Sequence, residues 1–304
     1  MRPLIVPFTK MDGAGNDFIV VDNRWMRFSD ADLAELARRY CPRRTGVGAD
    51  GLLALDAPAG AGADFRMRYR NADGSLGTMC GNGARCLARF ARRAGIEGRP
   101  EGEGARLEFD SDAGRYAAWV PEDPEAQVTL FIPEARAFEA IALAGVDERR
   151  PICSIWTGTE HAVLFVDHAA AEDVAGLGAR IRHDAALAPA GANVDFVEVV
   201  DAGSAGAPAR IRARTFEKGV EAETLACGTG AVASALAARL AGRVGAGRVF
   251  VEMPGGTLTV GFDLDGGAGR AEDARSITLE GPADVVFEGT LALHASALAG
   301  AAGR

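Results

Sequence analysis

Two short stretches of this chain share a cysteine followed by Gly-x-Gly-Ala and then an alanine-rich run. Cys80 opens CGNGARCLARFARRAG and Cys227 opens CGTGAVASALAARLAG. At an offset of 147 residues the two agree at nine of sixteen positions. A glycine-rich helix start leaves backbone N–H groups without internal partners and clears side chains from in front of them, which makes a seat for a carboxylate or phosphate. The same donors and the helix dipole favour a thiolate, so a lowered cysteine pKa is expected at both places. One such start is equally well a tight turn over a buried cysteine. Two related copies can place one sulfur on each side of an α-carbon. That arrangement supplies a base on one face and an acid on the other, which inversion of a stereocentre requires. Donors around the substrate carboxylate would stabilise a carbanion-like transition state.

Other routes to that carbanion find little support. A pyridoxal Schiff base needs a lysine, and only Lys10 and Lys218 are present. Neither setting announces a buried imine, although Lys10 stays a formal candidate. His161, His168, His183 and His294 show no HExxH spacing, and the cysteines are scattered. The expectation is therefore no cofactor and no metal. A net charge of −9 gives no global basic field for nucleic acid or an anionic membrane. No run of 18 apolar residues and no leader-like start occur, so no membrane partner is expected. Five cysteines, an odd number without a CxxC pair, fit a reduced, soluble, cytoplasmic protein rather than a disulfide framework.

The elements that must position the two cysteines also come in pairs. GNDFIVVD (residues 15–22) is answered by GTEHAVLFVD (158–167), and GVGADGLLAL (46–55) by GANVDFVEVV (191–200). MRYRNADG (67–74) is answered by IRARTFEKG (211–219). Each half reads as β-branched and apolar strands around one helix: FIVVD, GLLAL, RMRYR and ARLEFD, then AVLFVD, VDFVEVV, ARIRART and RVFVEM. The helices after the cysteines should stop at Gly95 and Gly242. A further helix is predicted over Asp30–Tyr40 behind a Ser29 cap. Residues 57–63, 96–105, 201–209 and 263–274 read as loops, and the last ten residues as partly frayed. The fold class is α/β (α+β): two pseudo-symmetric lobes, each a curled, mostly antiparallel sheet around a central helix, with the active site in the cleft between them. The expected lobes are residues 1–133, completed by a returning strand near 284–304, and residues 134–283 as an internal repeat.

Taken together, GAGNDFIVVD, GADGLL, NADGSLGTMCGNGARC, FEKGVEAETLACGTGA and MPGGTL resemble diaminopimelate epimerases, from about Phe8 to Gly289. The resemblance implies conversion of LL- to meso-2,6-diaminopimelate in lysine and cell-wall synthesis, without metal or pyridoxal, by a homodimer. It implies acid/base roles for Cys80 and Cys227. Gly81, Asn82, Gly228 and Thr229 would grip the reacting α-carboxylate and amine. Asn16, Asn71 and Asn193 would bind substrate, Glu217 would contact it, and His161 would lie near the cysteines. His161 and Glu217 would help to set the cysteine protonation states. Two places depart from the family pattern: Gly158-Thr159-Glu160-His161 replaces Gly-Asn-Pro-His, and Glu217-Lys218 replaces Glu-Arg. The second exchanges a bidentate fork for a point charge. Both belong mainly to contacts with the distal end of the substrate, Lys218 among them.

Plainer readings stand beside these. Cys41, Cys86 and Cys153 read as small core residues. Asn16, Asn71 and Asn193 sit in turn contexts, and His161 at a strand start suits a structural histidine as well as an assistant. Glu217 could be a loop carboxylate, and the arginines of 85–93 read as a mostly solvated helix face. Rival functions are a racemase of another amino acid such as histidine, a hydroxyproline-type enzyme of the same fold, a thiol redox protein, and a non-catalytic anion-binding module.

Overall fold

The structure is a computed structural model and describes residues 4–143, 146–147, 150–204, 206–264 and 269–293. The predicted frayed terminus and His294 lie outside these residues. The chain divides into two compact units, one made of residues 1–130 with 281–304 and the other of 131–280.

In the first unit the strands Leu4–Asp12 and Asp17–Asp22 pair antiparallel, and Asp17–Asp22 then runs parallel to Gly51–Asp56. Gly51–Asp56 pairs antiparallel with Phe65–Asn71, which runs parallel to Gly104–Ser111. The Asp284–Leu293 strand returns to lie antiparallel to Leu4–Asp12. The second unit repeats the order. Ile152–Trp156 pairs antiparallel with Glu160–Phe165, which runs parallel to Asn193–Asp201. Asn193–Asp201 pairs antiparallel with Ala209–Glu217, itself parallel to Arg248–Met253. The strands expected from apolar runs all form.

Among the described residues five α-helices accompany them: α1 Asn23–Met26, α2 Asp30–Tyr40, α3 Gly81–Arg93, α4 Val174–Arg182 and α5 Gly228–Leu240. α2 has the predicted bounds, because Ser29 and Asp32 close a reciprocal capping box at its start. α3 and α5 begin at the motif cysteines, and Gly95 and Gly242 follow their ends with positive φ. Ten of the thirteen residues of α5 are buried, so it is a central helix with strands packed around it. Its alanines let those strands approach closely.

α4 has no counterpart in the sequence reading, because glycines at 176 and 178 lower its helix propensity. Packing explains one of them: a Cβ on Gly178 would lie 2.6 Å from the Cβ of Phe216. The arginines of α3 correct a second expectation. Arg85 is fully buried and Arg89 is nearly so. Both donate to backbone carbonyl groups, whereas Arg92 is half-buried and Arg93 is exposed as expected.

Candidate active site

Each motif cysteine is the N-cap of its helix. Cys80 has extended φ and ψ of −142° and 119°, and its Sγ accepts a 3.4 Å hydrogen bond from the Gly83 N–H. Cys227 has φ and ψ of −114° and 109°, and its Sγ accepts from Gly230 N–H at the same distance. Sulfur thus takes the place that Ser or Asp usually fills at a helix start. Gly81 and Gly228 are the first helical residues, and Asn82 and Thr229 the second.

Around Cys80 the partners are amides. Its Sγ donates to Asn16 Oδ1 at 3.4 Å, and Asn82 Nδ2 donates to the same oxygen. The Asn16 amide is oriented from behind, since its Nδ2 donates to Asp50 Oδ2 at 2.7 Å. Asp50 also accepts from Arg43, which bridges to Asp17. Asp17 takes an ion pair from Lys10 at 2.5 Å. Burial opposes ionisation of Asp17, but the Arg43 and Lys10 hydrogen bonds prevail and bring its pKa down to about 2. Lys10 is nearly buried and its ammonium is spent on Asp17 and the Gly48 carbonyl. On the inner side, Arg85 donates to Asn82 Oδ1 at 3.0 Å and to the Pro282 carbonyl at 3.3 Å.

Around Cys227 the partners are a hydroxyl, an imidazole and a carboxylate. Cys227 Sγ lies 3.5 Å from Thr229 Oγ1, which lies 3.0 Å from His161 Nε2. His161 Nδ1 lies 2.7 Å from Asp195 Oδ2, and both side chains are fully buried. Thr215 donates to the other Asp195 oxygen at 2.7 Å. Burial pushes the Cys227 thiol well up, and the Glu217 and Asp195 carboxylates push it further. The Gly230 N–H pulls the other way and loses. This corrects the expectation of a lowered pKa at both helix starts: at Cys227, desolvation outweighs the helix N-terminus.

The remaining site candidates fall as follows. Asn193 donates from Nδ2 to His161 Nε2 at 3.3 Å and accepts the Lys218 N–H on Oδ1 at 2.7 Å. Lys218 Nζ pairs with Glu160 at 2.6 Å, and Thr159 donates to the same carboxylate oxygen. The two departures from the family pattern are therefore joined through Glu160. Glu217 ends the Ala209–Glu217 strand, half-buried, where its charge acts on Cys227. Asn71 ends its strand with Nδ2 donating to Ser75 Oγ at 2.9 Å, so its amide holds a turn. Cys41, Cys86 and Cys153 are buried, and burial raises Cys41 and Cys153 to about 12. They remain thiols. Among the described residues no three His, Cys, Asp or Glu side chains converge as metal ligands would, and no helix is long and apolar enough to cross a membrane.

Asp50, Asp195 and Arg85 are supports that the sequence reading missed. A signal was present for the first two. When GVGADGLLAL is laid over GANVDFVEVV, Asp50 and Asp195 occupy the same column.

Residues 8–130 and 153–277 match the family described as Diaminopimelate epimerase. The chain belongs to that family. It is 43% identical over 285 residues to a diaminopimelate epimerase of Chlorobaculum tepidum, covering 93% of this chain and all of the relative. It is 35% identical over 291 residues to a diaminopimelate epimerase of Aquifex aeolicus, covering 93% of this chain and 97% of the relative. Among solved structures, a hydroxyproline epimerase from Agrobacterium vitis with bound trans-4-hydroxy-L-proline superposes with a TM-score of 0.68 at 18% identity, covering 96% of this chain and 92% of that one. That likeness shows the fold.

Proposed function

We propose that this family member is an isomerase that interconverts LL- and meso-2,6-diaminopimelate, with Cys80 and Cys227 working opposite faces of one α-carbon. The observation that carries the reading is the pair of motif cysteines, each an N-cap over a Gly-x-Gly helix start. In one direction a thiolate removes the α-proton and becomes a thiol, while the other thiol gives its proton to the opposite face and becomes a thiolate. The pair ends with its protonation reversed, and the back reaction starts from there. Backbone N–H groups at Gly81, Asn82, Gly228 and Thr229 would hold the α-carboxylate through the developing negative charge. Asn16 and Asn193 would orient the substrate, Asn71 would brace the turn beside them, and Lys218 would meet the distal carboxylate.

On this reading the enzyme needs neither pyridoxal nor metal, acts in lysine and peptidoglycan precursor synthesis, and works in the reducing cytoplasm. A homodimer belongs to the same reading. Exposed Leu4, Ile5, Val286 and Phe287 on two paired strands offer an apolar surface for it. The test is a substrate panel with the reduced protein, followed by chiral analysis. Diaminopimelate should be turned over, with histidine and hydroxyproline inert. Turnover of another amino acid in place of diaminopimelate would overturn the substrate assignment.

A further inference from the structure

The hydrogen positions around His161 follow from one unambiguous donor. The Lys218 backbone N–H faces the Asn193 side chain at 2.7 Å, so the atom it meets must be the amide oxygen. The amide nitrogen of Asn193 is thereby turned toward His161 Nε2, 3.3 Å away. An N–H group cannot face an NH2 group productively, so Nε2 carries no hydrogen and accepts. The single ring hydrogen sits on Nδ1, where Asp195 Oδ2 receives it at 2.7 Å. With Nε2 an acceptor, the Thr229 hydroxyl donates to it, which leaves the Thr229 oxygen free to accept from the Cys227 thiol. Every hydrogen along Cys227, Thr229 and His161 then points toward Asp195.

We propose that Asp195 is a positioning residue for the epimerisation, holding His161 as the Nδ1–H tautomer so that Thr229 presents a hydrogen-bond acceptor to the Cys227 thiol. The inference rests on the reading of Cys227 as one of the two acid/base groups. Asp195 never touches substrate on this account. Its placement is overdetermined: Thr215 holds its second oxygen, and Gly230 at the start of α5 packs directly over it. The charged and titratable groups that meet this line come from four elements. They are Asp195 on Asn193–Asp201, Glu217 on Ala209–Glu217, Cys227 at the start of α5, and Cys153 on Ile152–Trp156, whose thiol also feels Asp195. Both carboxylates favour a protonated Cys227, which suits it to serve as the acid.

The test compares wild type, Asp195→Asn and Asp195→Glu by three readouts. Nitrogen-15 NMR, with His161→Gln to assign the signal, reports the tautomer. Peptide-resolved alkylation by iodoacetamide across pH reports the Cys227 midpoint. Diaminopimelate turnover reports the consequence. Wild type should carry its His161 hydrogen on Nδ1. In Asp195→Asn the Thr215 hydroxyl still seeks the side-chain oxygen, so an amide NH2 faces each ring nitrogen, the preference for Nδ1–H is lost, and the Nε2–H form donating to Thr229 gains population. The Cys227 midpoint should move to lower pH, and turnover should fall by about tenfold or more. Asp195→Glu, which keeps the charge, should retain more of all three. A side chain that only filled space would change stability without moving the tautomer or the midpoint. An Nε2–H tautomer in wild type, or an unshifted midpoint and full turnover in Asp195→Asn, would overturn the proposal. If the Asn variant failed to fold, the wild-type tautomer alone would decide. Absence of turnover in wild type would instead sink the functional reading, while the tautomer and midpoint would still judge Asp195.

Discussion

Gly83 and Gly230 hold the same place in the two motifs, yet alanine should be tolerated at one and not at the other. A Cβ on Gly230 would lie 2.5 Å from Asp195 Oδ1 and 3.1 Å from Thr215 Oγ1. Asp195 is fully buried with both oxygens engaged, so it cannot swing aside without losing His161 or Thr215. The alternative is for the start of α5 to lift, which stretches the Gly230 N–H bond to Cys227 Sγ. Overpacking of this kind costs about 1–3 kcal/mol, and alanine returns about 1 kcal/mol of helix propensity. Gly230→Ala should therefore lose up to about 2 kcal/mol of stability. Its rate should fall by about a hundredfold, because a displacement of order 1 Å at the reacting group costs that much. The nearest atoms to a Cβ on Gly83 would be Leu53 Cδ2 at 3.2 Å, with Leu53 Cδ1 and Phe18 Cζ at 3.4 Å. These side-chain ends can yield by a few tenths of an ångström, so Gly83→Ala should be neutral to within about 1 kcal/mol and keep most of its rate. Urea denaturation and diaminopimelate turnover on the two variants side by side make the assay. Equal behaviour of the pair, in either direction, would refute the reasoning.

Three further outcomes follow from the geometry. Asp17, depressed to about 2 in the folded chain, contributes stability that is fully present above its unfolded pKa of about 3.9 and is lost as pH falls through about 2. Urea midpoints should show Asp17→Asn weaker than wild type by about 2 kcal/mol at neutral pH, a gap that closes between about pH 4 and pH 2; a pH-independent gap would contradict this. Native-state alkylation followed by peptide mass analysis should modify the half-buried Cys80 first, with Cys41, Cys86 and Cys153 untouched until unfolding. Lys218→Met should raise KM for diaminopimelate by about tenfold and leave kcat nearly unchanged, since it removes one charge-assisted contact remote from the α-carbon; a fall in kcat alone would place Lys218 at the chemistry instead.

Much of this molecule was legible in its residues because local signals and global fold agree. The Ser29 cap marks the start of α2, and the β-branched and apolar runs mark the strands. The two CGxG starts mark the sulfurs. What the sequence hid is tertiary. The burial of Arg85 depends on strands that wrap α3, and an arginine-rich helix read alone looks solvated. The rise of the Cys227 pKa depends first on burial and then on Glu217 and Asp195, which arrive from two other strands. α4 was hidden because Gly178 serves close packing on Phe216 at the expense of local propensity. Asp50 and Asp195 lay in one column of the repeat, but only the fold reveals that each orients a neighbour of a motif cysteine: Asn16 in one unit, His161 in the other.

The claim that two cysteines work opposite faces of one carbon is tested most directly by early-time label distribution. LL-diaminopimelate is incubated with the reduced enzyme in heavy water, stopped at low conversion, and the recovered substrate and meso product are analysed separately. With two bases, the proton is delivered by a thiol already equilibrated with solvent. The product should then carry one α-deuteron while recovered substrate stays unlabelled. Label shared between both pools from the start, or product formed without label, would mean that one group serves both faces and would contradict the account.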